Sequence, residues 1–398
     1  MQTITIKLTW EEIERRKARV DAAYHFRYLD RVPVEPGIAS RFWLHAFGRT
    51  WAEYTSDPRT MLDIQVQAHQ WVLENVPGDL TGVGISPDLF SFYGDSYGFG
   101  CELGHDDLTP WIRSHPIQDE ADLRCLEATD AIDNRHTAAL RDWIAGMEQH
   151  LGDYQFRYAD GMVKCLPEKL TPGIGWGTIG IFTLATDLRG SEIYLDLYER
   201  PDFIHELLRI VTDKVIDKYR WLRSQGIGLD AGPYMVDDSS GALSPAHYRE
   251  FIYPCVMRVV EAIGRPLWIH IDAPADHLLP IYREMKVARL LGFGWGTSVE
   301  KVREYLGGQA VVTGNISPAL FIYGTPQEVY DASRHVLQVL APCGGLVLTE
   351  GANMAPGASL ENILAMVRAA EDYGLPILAR PTTAEIPITK GVDTHVVV

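Results

Sequence analysis

Polar residues end two strand-like segments in the second half of the chain. His270 and Asp272 stand two positions apart in PLWIHID (266–272), and Glu350 ends GLVLTE (345–350). Side chains two positions apart on a strand point to the same face, so His270 and Asp272 can act on one ligand. In barrels of alternating strands and helices, catalytic groups concentrate at strand ends, and we therefore predict a functional site here. The alternatives are a structural hydrogen-bonded pair for His270 and Asp272, and a cap or an ion pair for Glu350.

Two further strand ends carry polar residues. Asp237 and Asp238 precede Ser-Ser-Gly, and Asn315 lies in TGNISP. Asn315 could donate a hydrogen bond to a substrate oxygen, or it could stabilise a turn. The alternative for the two aspartates is that one caps the turn and the other is solvated, and at least one of them is expected to have such a role.

Signatures of other chemistry are missing. The sequence contains no G-x-S-x-G elbow of a serine hydrolase, and the glycines of GIGWGTIG (173–180) lack the G-K-[ST] of a phosphate-binding loop. His45, His105, His277 and Cys343 are expected to be structural. The aromatic cluster at Phe92, Tyr93, Tyr97 and Phe99 is either a lid over a flat substrate or a loop packed on the rim.

From about residue 150, strand-like runs alternate with helical patterns, which favours a parallel sheet with helical crossovers. Thr325, followed by Pro326 and Glu328, predicts a capped helix start. A doubly wound sheet is the rival fold, but no G-x-G-x-x-G follows the first strand, and roughly eight units fit a closed (β/α)8 TIM barrel. The predicted strands are VPVEP (32–36), TGVGIS (81–86), YQFRYAD (154–160), LDAGPYMVDD (229–238), PLWIHID (266–272), RLLGFGW (289–295), AVVTGNI (310–316) and GLVLTE (345–350).

We expect a single barrel domain over residues 1–376, with 87–150 as a lid-like insertion near the barrel mouth and 377–398 as a C-terminal tail. The tail could dock on a second copy of the chain and so form a homodimer. The formal net charge of −17 disfavours nucleic acid and anionic lipid as partners. The absence of a long apolar run, of a signal-like start and of any C-x-x-C among five cysteines leads us to expect a cytoplasmic protein.

Several segments together resemble the uroporphyrinogen decarboxylase-like superfamily, which also includes methylcobamide:coenzyme M and O-demethylase-type methyltransferases. The resemblance spans most of residues 30–376 and implies a (β/α)8 barrel with its cleft at the C-terminal strand ends. It also implies that the Asp237–Asp238 pair faces the cleft, where one of them could act as general base or contact substrate; we favour Asp237 as the inward one. The segments that carry it are VPVEPG (32–37), LRGSEIYLDLYERPDFIHELL (188–208), DDSSGALSPAHYREFIYPCVMRVVEAIG (237–264), WIHIDAPADHLLP (268–280), VVTGNISPALFIYGTPQEV (311–329) and GGLVLTEGANMAPGASLENILAMVRAAEDYG (344–374).

The subgroup decides the expected substrate. Decarboxylases of this family carry an arginine-rich segment for a substrate with many carboxylates, whereas EPGIASRFWLHAFG offers only Arg41 and His45. Uroporphyrinogen itself is therefore disfavoured. The methyltransferases resemble zinc enzymes with His-x-Cys on one strand end and a cysteine near the last strand. Here Asp272 and Ala352 stand at the two cysteine positions, and Glu350 is close enough to replace the second ligand.

The resemblance thus implies a metal site made of His270, Asp272 and Glu350. Such a set suits Zn²⁺, and also Mn²⁺, Fe²⁺ or Mg²⁺. With oxygen ligands the metal is a stronger Lewis acid, which favours an oxygen substrate over a thiol. The leading hypothesis is a metal-assisted methyltransferase that moves a methyl group between a small methoxy-type substrate and a corrinoid (cobalamin). No corrinoid-binding signature occurs in the chain, so a partner protein would carry that cofactor.

Two other functions remain open at this point. One is a metal-free decarboxylase or related lyase on a small carboxylic acid, in which Asp237 or Asp238 stabilises a protonated intermediate. The other is a corrinoid or ligand carrier without catalytic activity.

Overall fold

The computed structural model describes residues 1–170, 177–226 and 232–373, with only the backbone given for 177–179. The tail predicted over 377–398 and parts of GIGWGTIG (173–180) and LDAGPYMVDD (229–238) therefore lie outside the described residues. Within them, no helix is both long and apolar enough to cross a membrane.

A parallel sheet of six strands, all between residues 177 and 350, forms the centre of the molecule, and its strands are neighbours in chain order. Strands of such sheets read as continuous apolar runs because both faces are covered, and all five residues of the last strand are buried. The strands of the whole described chain are β1 (Gln2–Thr5), β2 (Glu102–His105), β3 (Pro110–Ser114), β4 (Tyr154–Arg157), β5 (Val163–Cys165), β6 (Gly177–Ile179), β7 (Tyr234–Val236), β8 (Leu267–His270), β9 (Val287–Phe293), β10 (Val311–Ile316) and β11 (Leu346–Glu350).

Helices connect and flank these strands, so the architecture is α/β. They are α1 (Trp10–Tyr24), α2 (Ser40–Phe47), α3 (Trp51–Tyr54), α4 (Pro58–Asn75), α5 (Gly94–Gly98), α6 (Glu120–Ala128), α7 (Arg135–Glu148), α8 (Ile181–Arg189), α9 (Ile193–Glu199), α10 (Pro201–Ser224), α11 (Pro245–His247), α12 (Tyr253–Ile263), α13 (Leu279–Glu284), α14 (Val299–Leu306), α15 (Pro318–Tyr323), α16 (Pro326–Leu340) and α17 (Leu360–Tyr373). The predicted capping box at Thr325 is confirmed: its side chain accepts from the Glu328 amide, and the Glu328 side chain accepts from the Thr325 amide.

The last five predicted strands are present, and the first three differ from the prediction. VPVEP (32–36) contributes only a parallel bridge between Val34 and Leu348 of β11. TGVGIS (81–86) forms no strand. YQFRYAD (154–160) does contain β4, but β4 lies in a separate sheet between β1 and β5, because the N-terminal QTIT pairs with it in parallel register.

The Val34–Leu348 bridge brings the first predicted strand segment to the free edge of the last strand. A barrel requires this neighbourhood, because its first and last strands are adjacent. The predicted insertion (87–150) contains α5, α6, α7 and the β2–β3 hairpin.

The two faces of the parallel sheet pack into different apolar clusters. Met235, Ile269 and Leu290 belong to the large apolar core that includes the helices. Tyr234 and Trp268, together with Val236, Ala288 and Leu291, form a separate cluster. Because successive strand residues point to opposite faces, the second set marks the other face of the sheet, which we call the inner face.

Candidate active site

Three polar side chains meet where β7 and β8 end. Val236 of β7 is in register with His270 of β8, so the residues that follow β7 lie beside the end of β8. Asp238, His270 and Asp272 each offer one ligand atom, and these atoms lie within 4.8 Å of one another. His270 Nε2 is 3.7 Å from Asp238 Oδ1, and the Asp272 amide donates to the same oxygen at 2.8 Å.

The imidazole of His270 is oriented by the backbone of β9. It forms a hydrogen bond with the backbone of Leu291, and its Nδ1 side faces Gly292, where an added Cβ would lie 2.5 Å from that nitrogen. Fixing one ring nitrogen in this way leaves the other free to bind a metal or a proton. The free nitrogen, Nε2, is the one that faces Asp238.

Electrostatics at this cluster favour the neutral forms of Asp238 and His270. Burial, and then the neighbouring Asp272, raise the pKa of Asp238 well above its ordinary value. Burial lowers the pKa of His270, although Asp272 opposes that shift. Two carboxyl groups that repel each other beside a neutral imidazole are an unsatisfied arrangement, and either a bound cation or a shared proton relieves it.

Asp237 takes a different part from the one we favoured. It is buried, and it accepts hydrogen bonds from the hydroxyl groups of Ser240 (2.5 Å), Tyr248 (3.0 Å) and Tyr282 (3.4 Å). Burial raises its pKa to about 6, and these hydroxyl donors limit the rise. In the structure Asp238, rather than Asp237, is the member of the pair that lies beside His270.

Glu350 lies outside the cluster of three. It is fully buried and accepts hydrogen bonds from the Gly37 amide at 2.8 Å and the Thr349 hydroxyl at 3.1 Å. A Cβ at Gly37 would lie 2.5 Å from its Oε1, so the glycine permits this close approach. Burial raises the pKa of Glu350 to about 7. The structure therefore places Asp238 where the sequence prediction had Glu350.

Asn315 stabilises a loop in this structure. Its amide donates to the carbonyls of Gly294 (3.3 Å) and Thr297 (2.9 Å), in the loop after β9. Both interactions match the turn-stabilising alternative for this residue.

The aromatic residues of the insertion divide into two groups. Tyr97 stacks on Phe90 and under Arg135, as a packed loop would. Tyr93 instead interacts electrostatically with Arg41 of α2, and Arg41 also interacts with Asp272. The Nε of Arg41 is buried and has no hydrogen-bond partner among the described residues. In the sequence, Arg41 is the lone arginine of EPGIASRFWLHAFG, and that isolation was the available signal for a site residue.

The donor set fits a divalent cation. One imidazole nitrogen and two carboxylate oxygens within 4.8 Å of one another correspond to the N and O ligands that Zn²⁺ and Mn²⁺ accept, and three protein ligands leave positions open for substrate. Burial and the repulsion from Asp272 raise the pKa of Asp238. A bound cation would offset both effects, because it stabilises the charged form of each carboxylate.

Comparison with known families agrees with this fold. A family model described as Uroporphyrinogen decarboxylase (URO-D) matches residues 16–373. The chain belongs to this family, and the resemblance seen in the sequence is confirmed.

The individual relatives are distant. Uroporphyrinogen decarboxylase of Magnetococcus marinus is 28% identical over 244 residues, which cover 56% of this chain and 65% of that protein. The enzyme of the same name from Syntrophotalea carbinolica is 29% identical over 206 residues, covering 49% and 58% of the two chains. The chain thus spans less than two thirds of the length of these curated relatives. A methyltransferase from Methanosarcina mazei shares the fold with a TM-score of 0.63 at 19% identity, over 90% of this chain and 98% of that one.

Proposed function

We propose that the chain is a metal-assisted methyltransferase on a closed (β/α)8 barrel. It would move a methyl group between a small, oxygen-bearing substrate and a corrinoid held by a partner protein. The observation that carries the proposal is the cluster of one free imidazole nitrogen and two carboxylates at the strand ends. The methyltransferase from Methanosarcina mazei has the same fold, which makes this chemistry compatible with the scaffold, but the donor set carries the argument.

The residues would divide the work as follows. His270, Asp238 and Asp272 would hold the cation, which would supply Lewis acidity at the substrate oxygen. The backbone of Leu291 holds the imidazole in one orientation, and the Asp272 amide holds the Asp238 carboxylate. Arg41, which interacts with Asp272, would balance the negative charge of the ligand set. When the C–O bond of the substrate breaks, its electron pair would stay on oxygen, which would take up a proton from solvent, while the methyl group would pass to the reduced, nucleophilic corrinoid of the partner protein, which supplies the electron pair of the new bond.

Metal analysis of the purified protein tests this proposal. We expect about one Zn²⁺ or Mn²⁺ per chain in the wild type, and loss of most of it in His270→Ala and Asp272→Asn, because each removes one of three ligands. Asp276→Asn is the matched control, since Asp276 pairs with Lys301 instead. Wild-type protein without stoichiometric metal, and with activity unchanged in His270→Ala, would contradict the proposal.

The third ligand can be identified in the same experiment. Asp238→Asn should release the metal and Glu350→Gln should retain it if the cluster of three is the site. The reverse result would restore the ligand set predicted from the sequence.

A second function, a metal-free decarboxylase acting on a small carboxylic acid, is favoured by one observation. The raised pKa of Asp238 keeps this buried carboxyl protonated above the usual range, as a proton donor for the carbon that loses CO2 would require. The named decarboxylases among its relatives point the same way. Release of CO2 from candidate acids that persists in the presence of chelator, and is lost in Asp238→Asn, would favour this function over methyl transfer.

A further inference from the structure

A cationic side chain without a counter-ion lies beside the inner face of the sheet. The guanidinium of Arg289, in β9, is stacked between the rings of Trp268 (4.0 Å) and Tyr24 (4.3 Å). It is half-buried, and among the described residues no ion pair or hydrogen bond reaches it. Asp21 on α1 contributes a favourable electrostatic interaction without direct contact.

Such a placement is costly for a structural residue. Burial lowers the pKa of Arg289, which means that the charge has lost hydration, and the faces of two rings replace only part of it. Guanidinium groups in protein interiors usually have a carboxylate or phosphate that takes up their donors. No carboxylate among the described residues takes up the N–H donors of the Arg289 guanidinium.

A second donor without a partner stands in the same stack. Trp268 is buried, and its indole Nε1 has no hydrogen-bond partner in the part of the chain that the structure describes. A buried N–H of this kind is uncommon, because leaving it unpaired costs free energy. Arg289 and Trp268 together present a positive charge and a free N–H side by side.

Several side chains near Arg289 and Trp268 are desolvated and yet only partly buried. Tyr24, Glu35, His270 and Leu291 all keep some accessible surface, yet burial raises the pKa of Tyr24 to about 12 and that of Glu35 to about 7. From this combination of desolvation and remaining accessible surface we infer an internal hollow beside Arg289. Tyr24 interacts with both Glu35 and Arg289, so all three belong to one region.

This hollow is close to the candidate active site. Trp268 and Arg289 are in register, and His270 and Leu291, two residues further along the same two strands, form the next pair on the same face toward the strand ends. Two residues along a strand correspond to about 7 Å. A ligand held at Arg289 would therefore have its far end beside His270.

We propose that Arg289 and the indole N–H of Trp268 bind the carboxylate of a small organic acid whose reacting atom lies beside His270. The reacting end rests on the proposed function, whereas the anion site stands on Arg289 and Trp268 alone. A single guanidinium with one extra N–H matches the charge and planar shape of a carboxylate. A phosphate dianion would need more positive charge than a single guanidinium supplies.

Benzoate is a suitable probe, because its ring suits the aromatic walls and its charge is that of a carboxylate. Calorimetric titration should show binding in the millimolar range to the wild type. Arg289→Met should weaken it roughly 10- to 100-fold, the loss expected for a charged hydrogen-bonded pair. Trp268→Phe should weaken it less, since the ring remains. Arg283→Met, at an exposed arginine, is the matched control and should bind like the wild type.

Three further measurements separate a carboxylate site at Arg289 from the alternatives. Benzamide, the neutral analogue, should not bind, and inorganic phosphate should bind more weakly than benzoate. His270→Ala should still bind benzoate, so a failed metal or methyl-transfer test would leave the anion site standing. Thermal unfolding of Arg289→Met should occur at or above the wild-type temperature, because a desolvated charge is removed.

The proposal is overturned if the wild type shows no binding up to about 50 mM benzoate, well above a millimolar Kd. It is also overturned if Arg289→Met binds as the wild type does. If that variant melts earlier and binds benzoate normally, Arg289 serves only to stack the two rings.

Discussion

At the scale of single residues, the candidate metal site depends on the position and orientation of the His270 imidazole. Sequence spacing placed His270 and Asp272 together, because the two-residue period of a strand is a local property. It could not rank Asp237 against Asp238 or place Glu350, because the turn after β7 and the approach of Gly37 to β11 are tertiary features. Arg41 was missed for the same reason: its contact with Asp272 joins residues far apart in the chain.

Gly292→Ala tests whether the orientation of His270 matters. A Cβ at this position would lie 2.5 Å from His270 Nδ1, and the backbone φ of +56° is itself unfavourable for alanine. We expect a loss of about 1–3 kcal/mol in the free energy of unfolding, and weaker binding of Zn²⁺. Urea denaturation and metal titration measure the two effects. Gly152→Ala, where a Cβ meets open space, should be nearly neutral, and equal effects at both glycines would argue against the steric explanation.

Glu35→Gln tests the desolvated carboxyl in the hollow. Burial, with a smaller contribution from Asp79, raises its pKa from 4.5 to about 7 in the folded protein. A raised pKa means that the folded state binds more protons, so the stability of the wild type falls as the pH rises from about 4.5 through 7. The glutamine variant lacks this penalty.

Thermal or urea unfolding across pH 5 to 9 should therefore show Glu35→Gln about 1–3 kcal/mol more stable than the wild type above pH 8. The two should converge near pH 5, where Glu35 is mostly neutral in the folded protein. Glu199→Gln, at an exposed position of α9, should show no such pH trend. A variant less stable at every pH would mean that Glu35 has an unrecognised partner.

At the scale of elements, the sequence predicted most reliably what is local. The last five predicted strands are rich in apolar residues, and all five occur in the parallel sheet. YQFR alternates apolar and polar residues and is also a strand, yet β4 pairs with QTIT of β1 and lies elsewhere, because periodicity specifies a strand and not its partner. GIGWGTIG gave no strand signal, being rich in glycine, but Gly177–Ile179 pairs with β7. Pairing with β7 therefore makes this glycine-rich segment a strand, although its own composition does not favour one.

Thr325→Ala should destabilise α16. The Thr325 side chain accepts from the Glu328 amide, and Pro326 occupies the first turn, so the alanine leaves a helix-end donor unpaired. We expect a loss of about 1 kcal/mol in the free energy of unfolding, measured by urea denaturation. Gln338→Ala, at an exposed position within the same helix, should change stability by less than about 0.5 kcal/mol. If Thr325→Ala has no effect, the N-terminus of α16 does not unfold with the molecule as a unit.

At the scale of the whole molecule, a buried carboxylate joins the start of the chain to the sheet. Asp79 is fully buried and forms ion pairs with Arg19 of α1 and with Arg31. It also accepts from the Val34 amide at 2.8 Å, next to the bridge between Val34 and β11. One side chain thus connects α1, the first strand segment and the edge of the parallel sheet.

Replacing Asp79 by asparagine should therefore destabilise the entire fold rather than one element. The variant leaves two partly desolvated guanidinium groups without their common anion, although Arg19 keeps Asp30. Removing one partner of a buried ion pair typically costs about 3–5 kcal/mol, whereas Asp133→Asn, which breaks an exposed pair with Arg141, should cost less than about 1 kcal/mol. Urea denaturation followed by circular dichroism and by tryptophan fluorescence measures both variants. If Asp79→Asn shifts both transitions together to lower urea, the Asp79 ion pairs stabilise the whole molecule. If only one probe detects a loss of stability, or if the loss equals that of Asp133→Asn, α1 is held independently of Asp79.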